Sequence, residues 1–154
     1  MTPRALCLVA LLALGGCCMP DLDVDPSVVL GSGEVEFVTL GEAGQEVDLV
    51  NGVQGGWHVW GSVRVTGMDW RDLLLEFTVA EPGGSLLSEP SRTQAELSCC
   101  EGDEECEGLG EIVGFPVLVD EPALAAGRNL TLRVVATDPD GLTATASRTV
   151  TPIR

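Results

Sequence analysis

The chain contains no lysine, no tyrosine and only one histidine, His58, among its 154 residues. Few of its side chains can therefore shuttle protons near neutral pH. A blue-copper site, which needs two histidines and a cysteine, is disfavoured, and no Gly-x-Ser-x-Gly elbow is present. A Ser–His–Asp arrangement is defined by geometry rather than by spacing, so it stays open. The residue content predicts a protein that is not an enzyme.

Positive charge is also scarce. Eight basic residues, all arginine, face 24 acidic residues, and the formal net charge is −16. Such a surface repels phosphate backbones and anionic lipid headgroups. We therefore expect no nucleic-acid partner, and no adhesion of the protein surface itself to an anionic membrane.

Long apolar runs are missing. The longest covers residues 5–14, whereas a helix needs about 20 apolar residues to cross the hydrocarbon core. The run follows Arg4 and precedes small residues, which is the order found in a signal peptide. An exported protein is predicted.

The leader ends in Leu14-Gly15-Gly16-Cys17, which resembles the bacterial lipobox. The resemblance implies cleavage after Gly16, a diacylglyceryl group on the Cys17 sulfur and acylation of the new amino group. Two or three acyl chains anchor a protein stably. Because Cys18 is not the aspartate associated with inner-membrane retention, the resemblance implies delivery to the outer membrane. An ordinary secretory signal is the alternative.

The remaining cysteines are candidates for disulfides, because the envelope is an oxidising compartment. Neighbouring Cys99 and Cys100 rarely bridge each other, since a disulfide needs a suitable Cα separation and Cβ direction. The sequence predicts a bridge from Cys106 to one of these two, which would close an acidic loop. Cys18 then pairs with the other or stays free.

The chain after the leader divides into two parts. Residues 17–33, rich in Asp, Pro and Gly, are predicted to be an acidic flexible tether. From residue 34 to residue 154, apolar and polar residues alternate, which is typical of half-buried antiparallel strands. Seven or so short strands without helices predict a single all-β sandwich. The predicted core contains Val35, Phe37, Trp57, Val63, Val65, Leu75, Phe77, Leu132 and Val134.

The last part of the chain predicts a hairpin. Residues 129–137 and 142–149 are separated by Asp138-Pro139-Asp140-Gly141, a turn sequence. This segment resembles the closing hairpin of immunoglobulin-like and cadherin-like bacterial envelope domains, although the Cys–Trp–Cys core of antibody domains is absent. Pro116 predicts an edge strand or a bulge in the run 111–119, and residues 121–127 suit one helical turn.

Residues 55–61 hold two of the three tryptophans and the only histidine. Strand alternation predicts that Trp57 points inward and that Trp60 points outward beside His58 and Arg64. An exposed indole can stack on a sugar ring or anchor a protein partner. The alternative is that an overlying loop covers Trp60.

Calcium is a further possibility at Asp138 and Asp140, which lie in a predicted turn where carboxylates and backbone carbonyl groups could converge on a hard cation. Turn aspartates equally bond their own backbone and need no metal. No cofactor is predicted.

Together these patterns predict a non-enzymatic, lipid-anchored cell-envelope protein with a structural or protein-interaction role. Its expected partners are the membrane, through the lipid anchor, and an envelope protein or glycan. A carbohydrate-binding module that uses an exposed tryptophan is the first alternative, and a calcium-binding envelope domain is the second.

Overall fold

The computed structural model describes residues 20–42, 44–53, 55–99 and 109–154. Short strands with few helical residues make up most of this part of the chain. In chain order the strands are β1 (Ser27–Ser32), β2 (Val38–Thr39), β3 (Gln45–Asp48), β4 (Val50–Gly52), β5 (Gly56–Thr66), β6 (Leu73–Ala80), β7 (Ser91–Ala95), β8 (Ser98–Cys99), β9 (Gly110–Val119), β10 (Leu130–Thr137) and β11 (Thr143–Ile153).

The strands form two sheets. The first has the order β2-β1-β5-β9-β8, with β4 also paired to β5, and the second has the order β3-β11-β10-β6-β7. The run β1-β5-β9-β8 corresponds to the ABED sheet of an immunoglobulin-type sandwich, and β11-β10-β6 corresponds to its GFC sheet. The predicted all-β sandwich is confirmed.

One pairing departs from the expected antiparallel pattern. Strand β3 pairs with β11 in parallel, from Gln45 opposite Val150 to Asp48 opposite Ile153. The chain crosses from the first sheet to the second after β2, and β3 there meets a strand that runs in its own direction. Alternation along one strand specifies which residues are buried but not the direction of the neighbouring strand.

The predicted tether boundary is wrong. Strand β1 lies inside residues 17–33, pairs with β5 from Ser27 opposite Thr66 to Gly31 opposite Ser62, and buries Val28 and Leu30. The sandwich therefore begins before residue 34. The run Val28-Val29-Leu30 is short and does not alternate with polar residues, so the sequence pattern does not identify it as a strand.

Three predicted core residues need correction. Val35 is 88% exposed, and Phe37 is only partly buried, because β1 already occupies the edge of β5 and residues 33–37 form a loop. Trp57 is partly buried and packs against the core. It lies near the start of β5, beside the hairpin with β4.

The other predicted core residues are fully buried: Val63, Val65, Leu75, Phe77, Leu132 and Val134. Phe77 stacks on Phe115 with ring centroids 5.2 Å apart. Gly61 makes room for this pair, because a Cβ at that position would lie 2.9 Å from Phe77 Cε1. The confirmed residues share the inward phase of long strands, where alternation gives the strongest signal.

Pro116 lies on β9, which has the predicted bulge but is not an edge strand, because it lies between β5 and β8. The β5–β9 register shifts between Gly61 and Val63, which marks a bulge. As described, β8 pairs only with Gly110 and Glu111 of β9. Farther along, serines cover the edge: Ser88 Oγ donates to the Leu118 carbonyl oxygen at 2.6 Å.

Two short helical turns connect strands. The predicted turn is confirmed as α1 (Pro122–Ala125), and a 3-10 turn covers Trp70–Asp72. Within the described residues, no helix is both long enough and apolar enough to cross a membrane.

Several predictions fall outside the described residues: the signal peptide of residues 1–16, lipidation of Cys17, and disulfide partners at Cys18, Cys100 and Cys106. Cys99 ends β8. The anchor and the disulfide therefore stay predictions.

Candidate functional site

The tryptophan-rich segment lies on β5. Strands β1 and β4 both pair with the same edge of β5 and leave a gap between them. Pairing with β1 reaches Ser62, and pairing with β4 starts at His58. Trp60 lies between these two positions. The chain leaves the first sheet after β2, forms β3 in the second sheet and returns at Val50. This change of sheets opens a groove beside Trp60.

We call this feature the Trp60 groove. It encloses about 310 Å³ and is lined by residues from the loop after β1, from β2, from β3 and from the end of β11. The residues that matter for its chemistry are Trp60, Glu34, Val38, Gln45, Glu46 and Asp48. Since these residues come from separate strands and loops, only the folded sandwich assembles the groove.

His58 packs directly against Trp60. The two rings meet edge-on, with centroids 4.4 Å apart and planes at 73°. His58 is only 7% exposed, and its Nε2 has no hydrogen-bond partner among the described residues. Burial lowers the pKa of His58, and the nearby Glu34 carboxylate opposes this shift. A neutral, buried imidazole therefore supports the indole.

Arg64 does not join this pair, so the predicted trio of Trp60, His58 and Arg64 is corrected. The Arg64 guanidinium lies 4.3 Å above the centroid of the Phe37 ring, and its Nε donates to Glu111 Oε2 at 2.5 Å. Arg64 lies four positions after Trp60 on the extended strand, which places their Cα atoms about 13 Å apart. Trp60 and Arg64 are predicted to lie on the same face of β5, but their side chains belong to different groups of contacts.

Trp57 has surroundings of its own. The Arg154 guanidinium lies 4.6 Å above the centroid of its ring. With the Asn51 amide oriented to satisfy both of its groups, the amide oxygen accepts a hydrogen bond from Trp57 Nε1 at 3.3 Å. The indole is thus covered by the chain itself, which leaves Trp60 as the tryptophan of the groove.

The carboxylates of the groove have no ion-pair partner in the part of the chain that the structure describes. Glu34, Glu46 and Asp48 are exposed, and none of them belongs to an ion pair between described residues. The pairs that do form are Arg64–Glu111, Arg71–Asp69, Arg92–Glu76 and Arg128–Glu81. The groove therefore combines an aromatic face with uncompensated negative charge.

No sequence pattern marks these three acids as site residues. Glu46 and Asp48 occupy the polar phase of a predicted strand, and Glu34 has the same phase in the sequence. This pattern indicates a solvated face. Their position beside Trp60 depends on the crossing between sheets, which alternation does not encode.

At the predicted calcium site, Asp138 serves the turn. Its Oδ1 accepts hydrogen bonds from the backbone N–H groups of Asp140 and Leu142, at 3.0 and 2.8 Å. In residues 20–42, 44–53, 55–99 and 109–154, no group of three or more His, Cys, Asp and Glu side chains is arranged to hold a metal ion. The described structure gives calcium no further support.

No family model matches the chain, and no curated protein matches its sequence.

Proposed function

We propose that this chain is a non-enzymatic, lipid-anchored protein of the bacterial envelope whose sandwich domain binds a protein partner at the Trp60 groove. The observation that carries the proposal is the packing of Trp60 against buried His58 at the edge of an open groove. Tryptophan contributes strongly to binding at protein interfaces. A ring already held in place loses less freedom on binding.

The environment of His58 supports a binding role rather than a catalytic one. A general base needs to reach the proton it removes, and a triad needs an orienting group. His58 is buried, and its Nε2 has no partner in the described part of the chain. Its aromatic neighbour is Trp60.

Lipidation at Cys17 would orient the domain. Leu22 lines a surface groove together with Leu142 and Gly67, so the start of the described chain lies at the β5–β6 and β10–β11 turns. The five-residue step from Cys17 to Leu22 can span at most about 18 Å. In this proposal, the end of the sandwich that carries those two turns faces the membrane.

Site-specific photo-crosslinking in native cells tests the binding role. A benzophenone amino acid replaces Val38, which lines the groove and is 38% exposed. The matched control is Leu74, which is 43% exposed on the other sheet. We expect a defined protein adduct from the Val38 position that disappears when Trp60→Ala is added. The same adducts from both positions, or none from Val38, would refute the role.

Carbohydrate binding is the second candidate, because an indole beside carboxylate and amide groups suits a sugar ring and its hydroxyls. Trp60, Gln45 and Glu46 supply these groups in the groove. Titration with envelope glycan fragments, followed by tryptophan fluorescence, separates the two functions. Saturable glycan binding that Trp60→Ala abolishes, without a protein adduct at Val38, would favour the carbohydrate role.

A further inference from the structure

We propose that the Trp60 groove receives a cationic side chain of the partner protein, an arginine guanidinium or a lysine ammonium. This inference rests on the proposed binding function and specifies the chemistry of its ligand. It joins three observations: an indole in the groove, carboxylates around it, and the placement of the chain's own cations elsewhere.

The charge of the groove is complementary to a cation. Glu34 comes from the loop after β1, whereas Glu46 and Asp48 come from β3. Two separate segments of the chain therefore supply carboxylates to the groove. The chain has no lysine and a net charge of −16. A cationic partner is therefore attracted over a distance and then held locally.

The aromatic ring adds selectivity for the same kind of group. An indole face attracts cations more strongly than the other aromatic side chains do, and arginine is the most frequent partner. The edge-on contact with His58, at 4.4 Å between centroids, supports the ring on one side. A planar guanidinium can stack on an indole while its N–H groups donate to carboxylates.

Arginines on the surrounding strands are already engaged, so they leave this charge uncompensated. Arg64 pairs with Glu111, and Arg154 lies over the Trp57 ring. Arg148 donates to the carbonyl oxygens of Leu40 and Ser147. Among the described residues, the groove carboxylates therefore have no ion-pair partner, and a cation of a binding partner can supply one.

The test uses the mature, acylated protein in non-ionic detergent and follows the indole N–H signal of Trp60 by NMR, assigned with Trp60→Phe. The probes are acetyl-Gly-Arg-Gly-amide, its lysine analogue and its citrulline analogue, which keeps the shape of arginine but is neutral. We expect saturable shifts with the two cationic peptides and none with citrulline.

Paired charge variants separate the groove from the overall field of the protein. The variant Glu46→Gln/Asp48→Asn removes two groove carboxylates. Its matched control, Asp120→Asn/Glu121→Gln, removes two exposed acids near α1 that belong to no ion pair in the described residues. We expect the dissociation constant of the arginine peptide to rise about fivefold in the groove variant and less than about twofold in the control.

Three outcomes would overturn the inference: equal shifts with the arginine and citrulline peptides, equal losses in the two charge variants, or no saturable shift with either cationic peptide. Spermidine is tested beside the peptides. If it binds more tightly than they do and the Val38 crosslinker captures no protein, the cation is a free polyamine, and the assignment to a partner side chain fails. A Val38 protein adduct combined with equal arginine and citrulline binding would preserve the proposed function and reject only this inference.

Discussion

The imidazole of His58 meets the indole of Trp60 edge-on, with 4.4 Å between ring centroids and an angle of 73° between the planes. The only histidine of the chain is thus a packing partner of the candidate binding residue. Because a charged imidazole is poorly solvated when buried, we expect protonation of His58 to disfavour this packing. The relationship links the stability of the domain to the shape of its binding site.

Lowering the pH should destabilise the domain through His58. Burial lowers its pKa from the ordinary value of 6.5, so the unfolded chain binds this proton more tightly than the folded one. The stability that neutral His58 contributes is complete above pH 6.5, the ordinary pKa of the unfolded chain. It is lost as the pH falls from there toward the lower pKa of the folded protein. Urea unfolding at about pH 7.5 and about pH 5.5, where most carboxylates are still ionised, measures the loss. The same loss in His58→Gln would contradict the assignment.

Phe77→Ala should lower the free energy of unfolding by about 3–5 kcal/mol, because it leaves a cavity in the centre of the core. Phe77 is completely buried and stacks on Phe115. Leu74→Ala, on the outer face of the same strand, is the control and should have a small effect. Trp60→Ala should cost far less stability than Phe77→Ala, as measured by urea denaturation. Comparable losses from Trp60→Ala and Phe77→Ala would show that Trp60 is a core residue.

Gly110→Ala should destabilise the fold by about 1–3 kcal/mol through overpacking. A Cβ at Gly110 would lie 2.6 Å from Cδ2 of the buried Trp70 ring. Gly83→Ala is the matched control, since nothing lies within 4 Å of its added Cβ. Thermal unfolding of both variants measures the difference. A wild-type midpoint for Gly110→Ala would show that the Trp70 ring moves without cost.

Cys17→Ala should abolish acylation and move the protein from the membrane fraction to the soluble fraction. The reason is the Leu14-Gly15-Gly16-Cys17 sequence, together with the affinity that two or three acyl chains provide. Cell fractionation and intact-mass measurement check the prediction, and Cys18→Ala is the control. A wild-type protein that begins at Cys17 without acyl chains would refute the anchor.

Non-reducing peptide mapping of protein from its native compartment should find Cys106 bridged to Cys99 or Cys100. The disulfide closes a short loop. Removing the disulfide should therefore lower the free energy of unfolding by less than the ~3 kcal/mol expected for a 15-residue loop. Replacing Cys106 by serine should therefore leave the sandwich folded. Three free thiols in the native protein would contradict the bridge.

The sequence by itself determined the inward faces of the long strands and the closing hairpin. Phe77 and Leu132 alternate with polar residues, and the turn at Asp138–Gly141 follows the second of these runs. These are local signals, because side-chain direction repeats every two residues along a strand and turn residues act on their own backbone. Pro116 likewise indicated the bulge that β9 forms against β5.

Only the tertiary structure decided where β1 pairs, that β3 runs parallel to β11, and which side chains face Trp60. Glu34 and Asp48 reach the Trp60 groove because the chain changes sheets between them. Arg64 shares a strand and a predicted face with Trp60, yet it pairs with Glu111 on the neighbouring strand. Such contacts join residues far apart in the chain, and a strand's own pattern carries no information about which other strand will lie beside it.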